Sequence, residues 1–263
     1  MALQGTNTFL VGTGPDKLLI DTGEGRPRWA QLVSELVRAR GLAIRQVLLT
    51  HWHHDHTGGL RDLLQLYPDL QTAIYKCEPG AGQQAIVHGQ RFSVPGATVR
   101  AMHMLGHTAD HMCFLLEEDD VLFTGDALLG HGTTAIEDMA EYMASLRDMQ
   151  HSRCRTAYPG HGATIPDLMA RLDQELGRTL HRERQILTAL NQLRRAKQPG
   201  AKGSATAVEL AHEVFGNLPA DIAESVFQPL VKTLLMKLAA EKRVGFEFRG
   251  GQKRWFAQPT LSE

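Results

Sequence analysis

Six consecutive residues, 51–56, contain four histidines and one aspartate in the order His-x-His-x-Asp-His. A short apolar run at residues 47–49 precedes them, and it is typical of a buried strand. Gly58 and Gly59 follow, and then leucines recur at helical spacing from residue 60 to residue 66. The pattern therefore predicts that this dense group of polar side chains lies on a loop between a strand and a helix.

The spacing within this loop favours metal binding at two neighbouring positions. Alternate side chains of a strand point to the same side, so His51 and His53 can point together. Beyond the bend, Asp55 and His56 can point elsewhere. Zinc prefers imidazole nitrogen with some carboxylate oxygen, which are the two ligand types present here. The additional His54 is expected to be exposed rather than to bind metal.

Three further candidate ligands, His107, Asp126 and His161, each lie on a glycine-bearing loop after a predicted strand. A single histidine in such a loop is more often a hydrogen-bonded loop residue than a ligand. Together with the first loop, however, the three residues complete the ligands of two zinc ions that share one carboxylate and a bridging water. The prediction places His51, His53 and His107 on one ion, Asp55, His56 and His161 on the other, and Asp126 between them.

Composition and charge limit the other possibilities. The chain has 263 residues and a formal net charge of -1, so it has no global attraction to nucleic acid or to a membrane surface. Its three cysteines have no metal-binding spacing and are interpreted as reduced thiols. No apolar run approaches the length of a membrane span. We therefore expect a cytoplasmic protein, or a mitochondrial one if a preceding segment carries a targeting signal.

Predicted strands alternate with predicted helices, and most polar loops follow strand ends. This pattern indicates an α/β layered fold with its site at one rim of the sheets. The predicted domains are a catalytic domain at residues 1–166, a long helix and linker at 167–203, and a small winged-helix-like domain of three helices and a hairpin at 204–263. Further predicted elements include a strand at 71–76, a surface loop at 78–90 and a helix at 135–149.

The motifs resemble those of the metallo-β-lactamase superfamily from about residue 3 to about residue 164. The His-x-His-x-Asp-His loop is followed in order by Gly106-His107-Thr108, Gly125-Asp126 and Gly160-His161-Gly162. The resemblance implies an αββα sandwich and a dinuclear zinc hydrolase. It also implies that Asp55 orients the attacking hydroxide as well as binding metal.

A narrower resemblance is to the β-lactamase-like protein 2 group, through residues 3–8, 19–24, 50–53 and 158–162 and the small C-terminal domain. One branch of that group contains animal mitochondrial proteins that cut single-stranded RNA. The other contains fungal thioesterases that release aromatic polyketides from an acyl carrier protein. Residues 23–29, 74–76 and 125–133 look closer to the second branch.

The resemblance thus implies a thioesterase of secondary metabolism whose partner is the acyl carrier protein of a polyketide synthase. The alternative is a single-strand-specific endoribonuclease. Residues 178–202 hold seven basic residues and one acidic residue, which suits RNA, an acidic carrier protein or simply a solvated helix face. A purely nucleic-acid-binding module is not favoured, since residues 205–263 carry seven basic and seven acidic residues.

A cluster of apolar residues follows Asp126 and has two possible roles. Some of its members could line a pocket for an aromatic acyl chain, but the helical spacing favours an ordinary core stripe. The cluster consists of Leu128, Leu129, Met139, Tyr142 and Met143.

Overall fold

The computed structural model describes residues 5–196 and 202–259. Its contacts divide the chain into two units, the first formed by Met1–Thr134 and Glu141–Leu172 and the second by Ala135–Ala140 and Asp173–Glu263. Most of the linker predicted at 197–203, and the first two residues of the motif at 3–8, lie outside the described residues. No described helix combines the length and apolar character that crossing a bilayer requires.

The first unit contains two five-stranded sheets. In the first sheet the strands follow chain order, with an antiparallel β1–β2 pair and parallel pairs thereafter. Its strands are β1 (Phe9–Val11), β2 (Asp16–Ile20), β3 (Ala43–Leu48), β4 (Ile74–Lys76) and β5 (Gln84–Ala85). The helices between them are α1 (Pro27–Ala39), α2 (His54–Thr57), α3 (Leu60–Leu66) and a 3-10 helix at Pro68–Thr72.

In the second sheet the strands also lie beside one another in chain order. Only the β9–β10 pair is parallel, and the other pairs are antiparallel. Its strands are β6 (Arg91–Val94), β7 (Ala97–His103), β8 (Met112–Leu116), β9 (Val121–Gly125) and β10 (Thr156–Pro159). Helix α4 (Met139–His151) precedes β10, and helix α5 (Leu168–Ala196) follows it.

Successive side chains of a strand point to opposite faces of its sheet, and this alternation places the apolar side chains in two separate buried layers. On β2, Leu18 and Ile20 belong to a buried cluster that also contains Phe114 and Phe123 of the second sheet, so this cluster fills the space between the sheets. Leu19 points the other way, into a cluster with residues of α1 and α3. The fold is therefore the mixed α/β sandwich that the motifs implied.

The second unit contains the C-terminal elements. Helix α6 (Ala207–Phe215) begins with a capping box between Thr206 and Glu209. A further helical segment follows as α7 (Ala220–Ile222), a π-helical turn (Ala223–Phe227) and α8 (Gln228–Ala240). The antiparallel hairpin consists of β11 (Val244–Arg249) and β12 (Gln252–Ala257). The buried Glu183 of α5 lies 2.6 Å from Lys237 of α8.

Three local predictions were partly wrong. The strand predicted at 71–76 is reduced to β4, because Pro68 at the first helical position starts a 3-10 helix that runs to residue 72. The loop at 78–90 contains the two-residue strand β5, and the helix predicted from residue 135 begins at Met139. One boundary between the two units falls after Leu172, inside α5.

Candidate metal centre

Five segments that leave strand ends meet at one rim of the two sheets. Three backbone hydrogen bonds tie them together, from Met112 N to Thr50 O, from Gly160 N to Gly125 O, and from Thr22 N to His56 O, at 2.7–2.8 Å. The segments carry Asp21 after β2, residues 51–56 after β3, His107 after β7, Asp126 after β9 and His161 after β10. All seven residues predicted to bind metal are therefore brought to the same place.

The first group of candidate ligands is a triangle of imidazole nitrogens. His51 Nε2 lies 2.9 Å from His53 Nδ1 and 3.2 Å from His107 Nε2. The distance between His53 Nδ1 and His107 Nε2 is 3.1 Å. These three ligand atoms form one of the clusters that are compact enough to hold a metal ion.

The second group combines two imidazoles with a carboxylate. Asp55, His56 and His161 form a second compact cluster, in which His161 Nε2 lies 3.3 Å from Asp55 Oδ2. The Asp126 carboxylate lies beside both groups. Its oxygens are 3.3 Å from His56 Nε2, 3.4 Å from His161 Nε2 and 3.8 Å from His107 Nε2. A carboxylate in this position would be able to contribute a ligand to an ion held by either group.

Four of the five imidazoles are oriented by an oxygen atom at Nδ1, which leaves Nε2 facing the centre. Thr50 Oγ1 lies 2.9 Å from His51 Nδ1, and Thr134 Oγ1 lies 2.9 Å from His107 Nδ1. His161 Nδ1 donates to Gly5 O at 2.9 Å. The fourth oxygen is Asp21 Oδ2, 2.7 Å from His56 Nδ1. Such contacts fix the tautomer in which Nε2 offers its lone pair.

Asp21 supports two of these histidines at once. Besides accepting from His56, it accepts from the Thr50 backbone N–H at 2.8 Å and from the Thr50 hydroxyl, which in turn contacts His51. The Asp21 backbone has a φ of +57°, a left-handed conformation that aspartate tolerates better than most residues. Its side chain is buried, so these hydrogen bonds satisfy a charge that would otherwise be costly.

The electrostatics of the site favour a neutral His51, an ionised Asp126 and a positive charge at His56. Burial, and then the charge of neighbouring imidazoles, lowers the pKa of His51, so this ring stays neutral. Burial raises the pKa of Asp126, but the neighbouring His161 and His56 imidazoles outweigh burial and hold the pKa well below its usual range. Burial lowers the pKa of His56, but the nearby carboxylates of Asp21 and Asp126 outweigh burial and raise this pKa to about 10. A cation at His56 Nε2 would take the place of this proton.

The donor set fits a divalent metal such as zinc. Ligand nitrogens about 2.0–2.1 Å from a tetrahedral zinc ion lie roughly 3.3 Å apart, close to the separations within the first group. Neutral imidazoles that converge by their lone pairs repel one another unless a cation lies between them. In the second group, His56 Nε2 and Asp126 Oδ1 are buried without a hydrogen-bond partner among the described residues. Both atoms gain a partner if a metal ion binds there.

The close packing around these ligands leaves no room for a side chain at Gly160. A Cβ at this position would lie 2.6 Å from Asp126 Oδ1 and 2.7 Å from His56 Cε1. We expect Gly160→Ala to lower the free energy of unfolding by about 1–3 kcal/mol and to weaken metal binding. Thermal unfolding and metal content measure the two effects.

The matched control is Gly177→Ala on the exposed face of α5, where a Cβ meets nothing within 4 Å. This change should stabilise the protein by about 0.5–1 kcal/mol, because alanine favours the helix. Unaltered metal content and stability in Gly160→Ala would contradict the packing described here.

The structure bears on the predictions for His54 and the apolar cluster, and it shows supporting residues that the sequence did not reveal. His54 is exposed and belongs to none of the compact clusters, as expected. Sequence reasoning missed the supporting roles of Asp21, Thr50 and Thr134, and also missed His111, which accepts from the Asp126 backbone N–H at 3.0 Å. The apolar cluster after Asp126 is almost wholly buried, which favours the core interpretation over the pocket; its members are Leu128, Leu129, Met139, Tyr142 and Met143.

Comparison with known proteins shows which proteins this chain is similar to. The family described as "Metallo-beta-lactamase superfamily" matches residues 2–161. The "Atrochrysone carboxyl ACP thioesterase" of Aspergillus fumigatus is 54% identical over 261 residues, which cover 98% of this chain and 83% of that protein. The "Lactamase-like protein notP" of an Aspergillus species is 51% identical and covers 97% of this chain and 81% of its own. A beta-lactamase domain protein from Burkholderia ambifaria shares the fold, with a TM-score of 0.79 at 17% identity over 98% of this chain and 88% of its own.

Proposed function

The chain belongs to the metallo-β-lactamase superfamily. We propose that it is a metal-dependent thioesterase. Its substrate would be a polyketide acyl chain on the acyl carrier protein of a polyketide synthase, in secondary-metabolite biosynthesis. The observation that carries this proposal is the 54% identity, over 98% of the chain, to a protein named as an acyl carrier protein thioesterase. The candidate ligand set supplies the chemistry that such a reaction needs.

Two zinc ions are the proposed cofactors. His51, His53 and His107 would hold one ion, Asp55, His56 and His161 the other, and Asp126 would bridge them. Two of the three compact clusters support the two ligand sets, and the third, which joins His51, His56 and Asp126, supports the place of Asp126 beside both. When bound, such ions polarise a carbonyl oxygen and lower the pKa of a water molecule.

Asp55 is the proposed catalytic residue of this chain. Its side chain is 17% exposed, whereas that of its neighbour His161 is 1% exposed, so the carboxylate is within reach of solvent. It can therefore accept a hydrogen bond from the attacking water and take up its proton. The leaving thiol has an ordinary pKa of about 8.5, so the thiolate departs without a strong acid and then receives this proton.

The endoribonuclease alternative is not favoured, and the basic stretch at 178–202 gives it little support. Arg178 lies 3.4 Å from Glu175, and Arg182 stacks over the Phe215 ring. Lys202 lies over the Phe256 ring, while Lys197 is outside the described residues. Several of these cations thus have partners within the protein.

The domain organisation and the cellular location of the chain are further proposals. We propose that residues 204–263 form a winged-helix-like domain, supported by helices α6 and α8, the short helical segment between them and the hairpin β11–β12. The helix and linker at 167–203 would connect it to a catalytic domain at 1–166. Cys77, Cys113 and Cys154 are free thiols, as suits the proposed cytoplasmic location.

The proposed function is tested with zinc-loaded protein and an aromatic acyl thioester, presented first on a carrier protein and then on a small thiol. We expect thiol release in both assays, no cleavage of single-stranded RNA in parallel, and loss of thiol release in His53→Ala. The matched control is His54→Ala, because this neighbouring imidazole is exposed and lies outside the clusters.

The assay can fail in two informative ways. RNA cleavage without thiol release would overturn the thioesterase proposal in favour of the endoribonuclease. Equal activity of the His53→Ala and His54→Ala variants would overturn the ligand assignment.

A further inference from the structure

The candidate ligands of the metal centre differ in their access to solvent. Most of its ligands are at most 6% exposed; these are His51, His56, His107, Asp126 and His161. His53 and Asp55 are only half-buried. A substrate carbonyl must therefore approach the ions past these two side chains, and whatever lies beside them contacts the group attached to that carbonyl.

Trp52 lies beside His53. Its ring centroid is 4.4 Å from that of His53, with the planes at 70°, and 57% of the residue is exposed. In the described part of the first unit, it is the one aromatic side chain that is exposed. A single exposed apolar residue is common on protein surfaces. What distinguishes Trp52 is its contact with a candidate ligand on the solvent side of the centre.

The local backbone is held without help from the Trp52 indole. The Thr57 hydroxyl donates to His53 O at 3.1 Å, and the Thr57 and Gly58 N–H groups donate to His53 O and His54 O. Trp29 provides a contrast, since its ring packs against a core cluster and its indole N–H donates to Thr8 Oγ1 at 3.0 Å. The exposed indole of Trp52 is therefore available to contact a ligand.

We propose that Trp52 determines specificity by stacking its indole on the aromatic acyl group of the thioester. This inference rests on the proposed thioesterase function and adds the residue of this chain that selects an aromatic acyl group. Two aromatic rings gain from offset or edge-to-face contacts beyond the burial of area, whereas an aliphatic chain gains only from the burial. Trp52 thus favours planar aromatic chains over flexible ones at the same carbonyl position.

The test compares two thioesters of one small thiol, N-acetylcysteamine, carrying either a 2-naphthoyl or a hexanoyl group. In Trp52→Ala we expect KM for the naphthoyl ester to rise about tenfold with little change in kcat, the upper range for loss of one aromatic contact. The hexanoyl ester should change by no more than about twofold. Trp52→Phe should restore most of the preference, because phenylalanine keeps an aromatic face.

Two controls separate this role from a structural one. Zinc content should be the same in Trp52→Ala and wild type, and Leu36→Ala, at an exposed apolar position on α1, should leave both esters unchanged. Equal losses for the two esters, loss of zinc, or no change at all would overturn the inference while leaving the thioesterase proposal intact. If the wild type hydrolysed neither ester but remained loaded with zinc, the proposed function itself would fail, and this inference with it.

Discussion

Replacing Asp126 by alanine is expected to remove bound metal and thioesterase activity together. The Asp126 carboxylate contacts His56 and His161 of the second group and His107 of the first, at 3.3–3.8 Å. His51 of the first group also lies against His56 of the second, with ring centroids 4.3 Å apart, but Asp126 supplies the carboxylate that lies beside ligands of both groups. Residues that only support a ligand typically contribute 10- to 100-fold to affinity or activity, so loss of this ligand should cost more than about 100-fold.

Metal content after desalting and the rate of thiol release measure this effect. Asp148→Ala, at an exposed aspartate on α4, is the matched control and should retain both properties. Circular dichroism of both variants checks that the fold is preserved. Two bound zinc ions and an unchanged rate in Asp126→Ala would show that the bridging role is wrong.

Replacing Asp21 by asparagine is expected to weaken metal binding by about 10- to 100-fold, although Asp21 is not itself a candidate ligand. Asparagine keeps the size of the side chain and tolerates the left-handed backbone at φ +57°. Its amide, however, removes the charge and one of the two oxygens that accept from His56 and Thr50. His56 then loses the contact that holds its Nε2 toward the centre.

Competition with a chelator of known zinc affinity measures this change. Asp120→Asn is the matched control, because Asp120 has nearly the same backbone conformation, with a φ of +51°, but an exposed side chain. The control should bind zinc as the wild type does. Equal affinities of the two variants would mean that the hydrogen bond to His56 does not orient the ligand.

The sequence predicted the seven candidate ligands because each stands next to a local signal. Residues 51–56 form one continuous motif, and His107, Asp126 and His161 each adjoin a glycine at a strand end. In a sandwich of this kind, strand ends at one rim bring such loops together. Chain order and local pattern were therefore sufficient, without knowledge of which strands pair.

The supporting residues could not be predicted in this way. The hydroxyl of Thr134 reaches His107 only after a loop 27 residues away folds against it, and no local pattern encodes that approach. Asp21 does carry a usable signal, since it ends a buried strand in a glycine-rich segment, as the ligand loops do. The 3-10 helix before β4 was missed for a different reason, because the apolar spacing of residues 70–76 fits a strand equally well.

The half-buried side chains of His53 and Asp55 determine how metal ions and substrate enter and leave the centre. Since the other candidate ligands are buried, metal ions, chelators and substrate would all reach the centre past these two side chains. A bound acyl chain would then block this access, and it would slow both the dissociation of metal and the entry of a chelator during turnover. The ions would be most vulnerable in the resting enzyme, in the interval after one product has left and before the next acyl chain arrives.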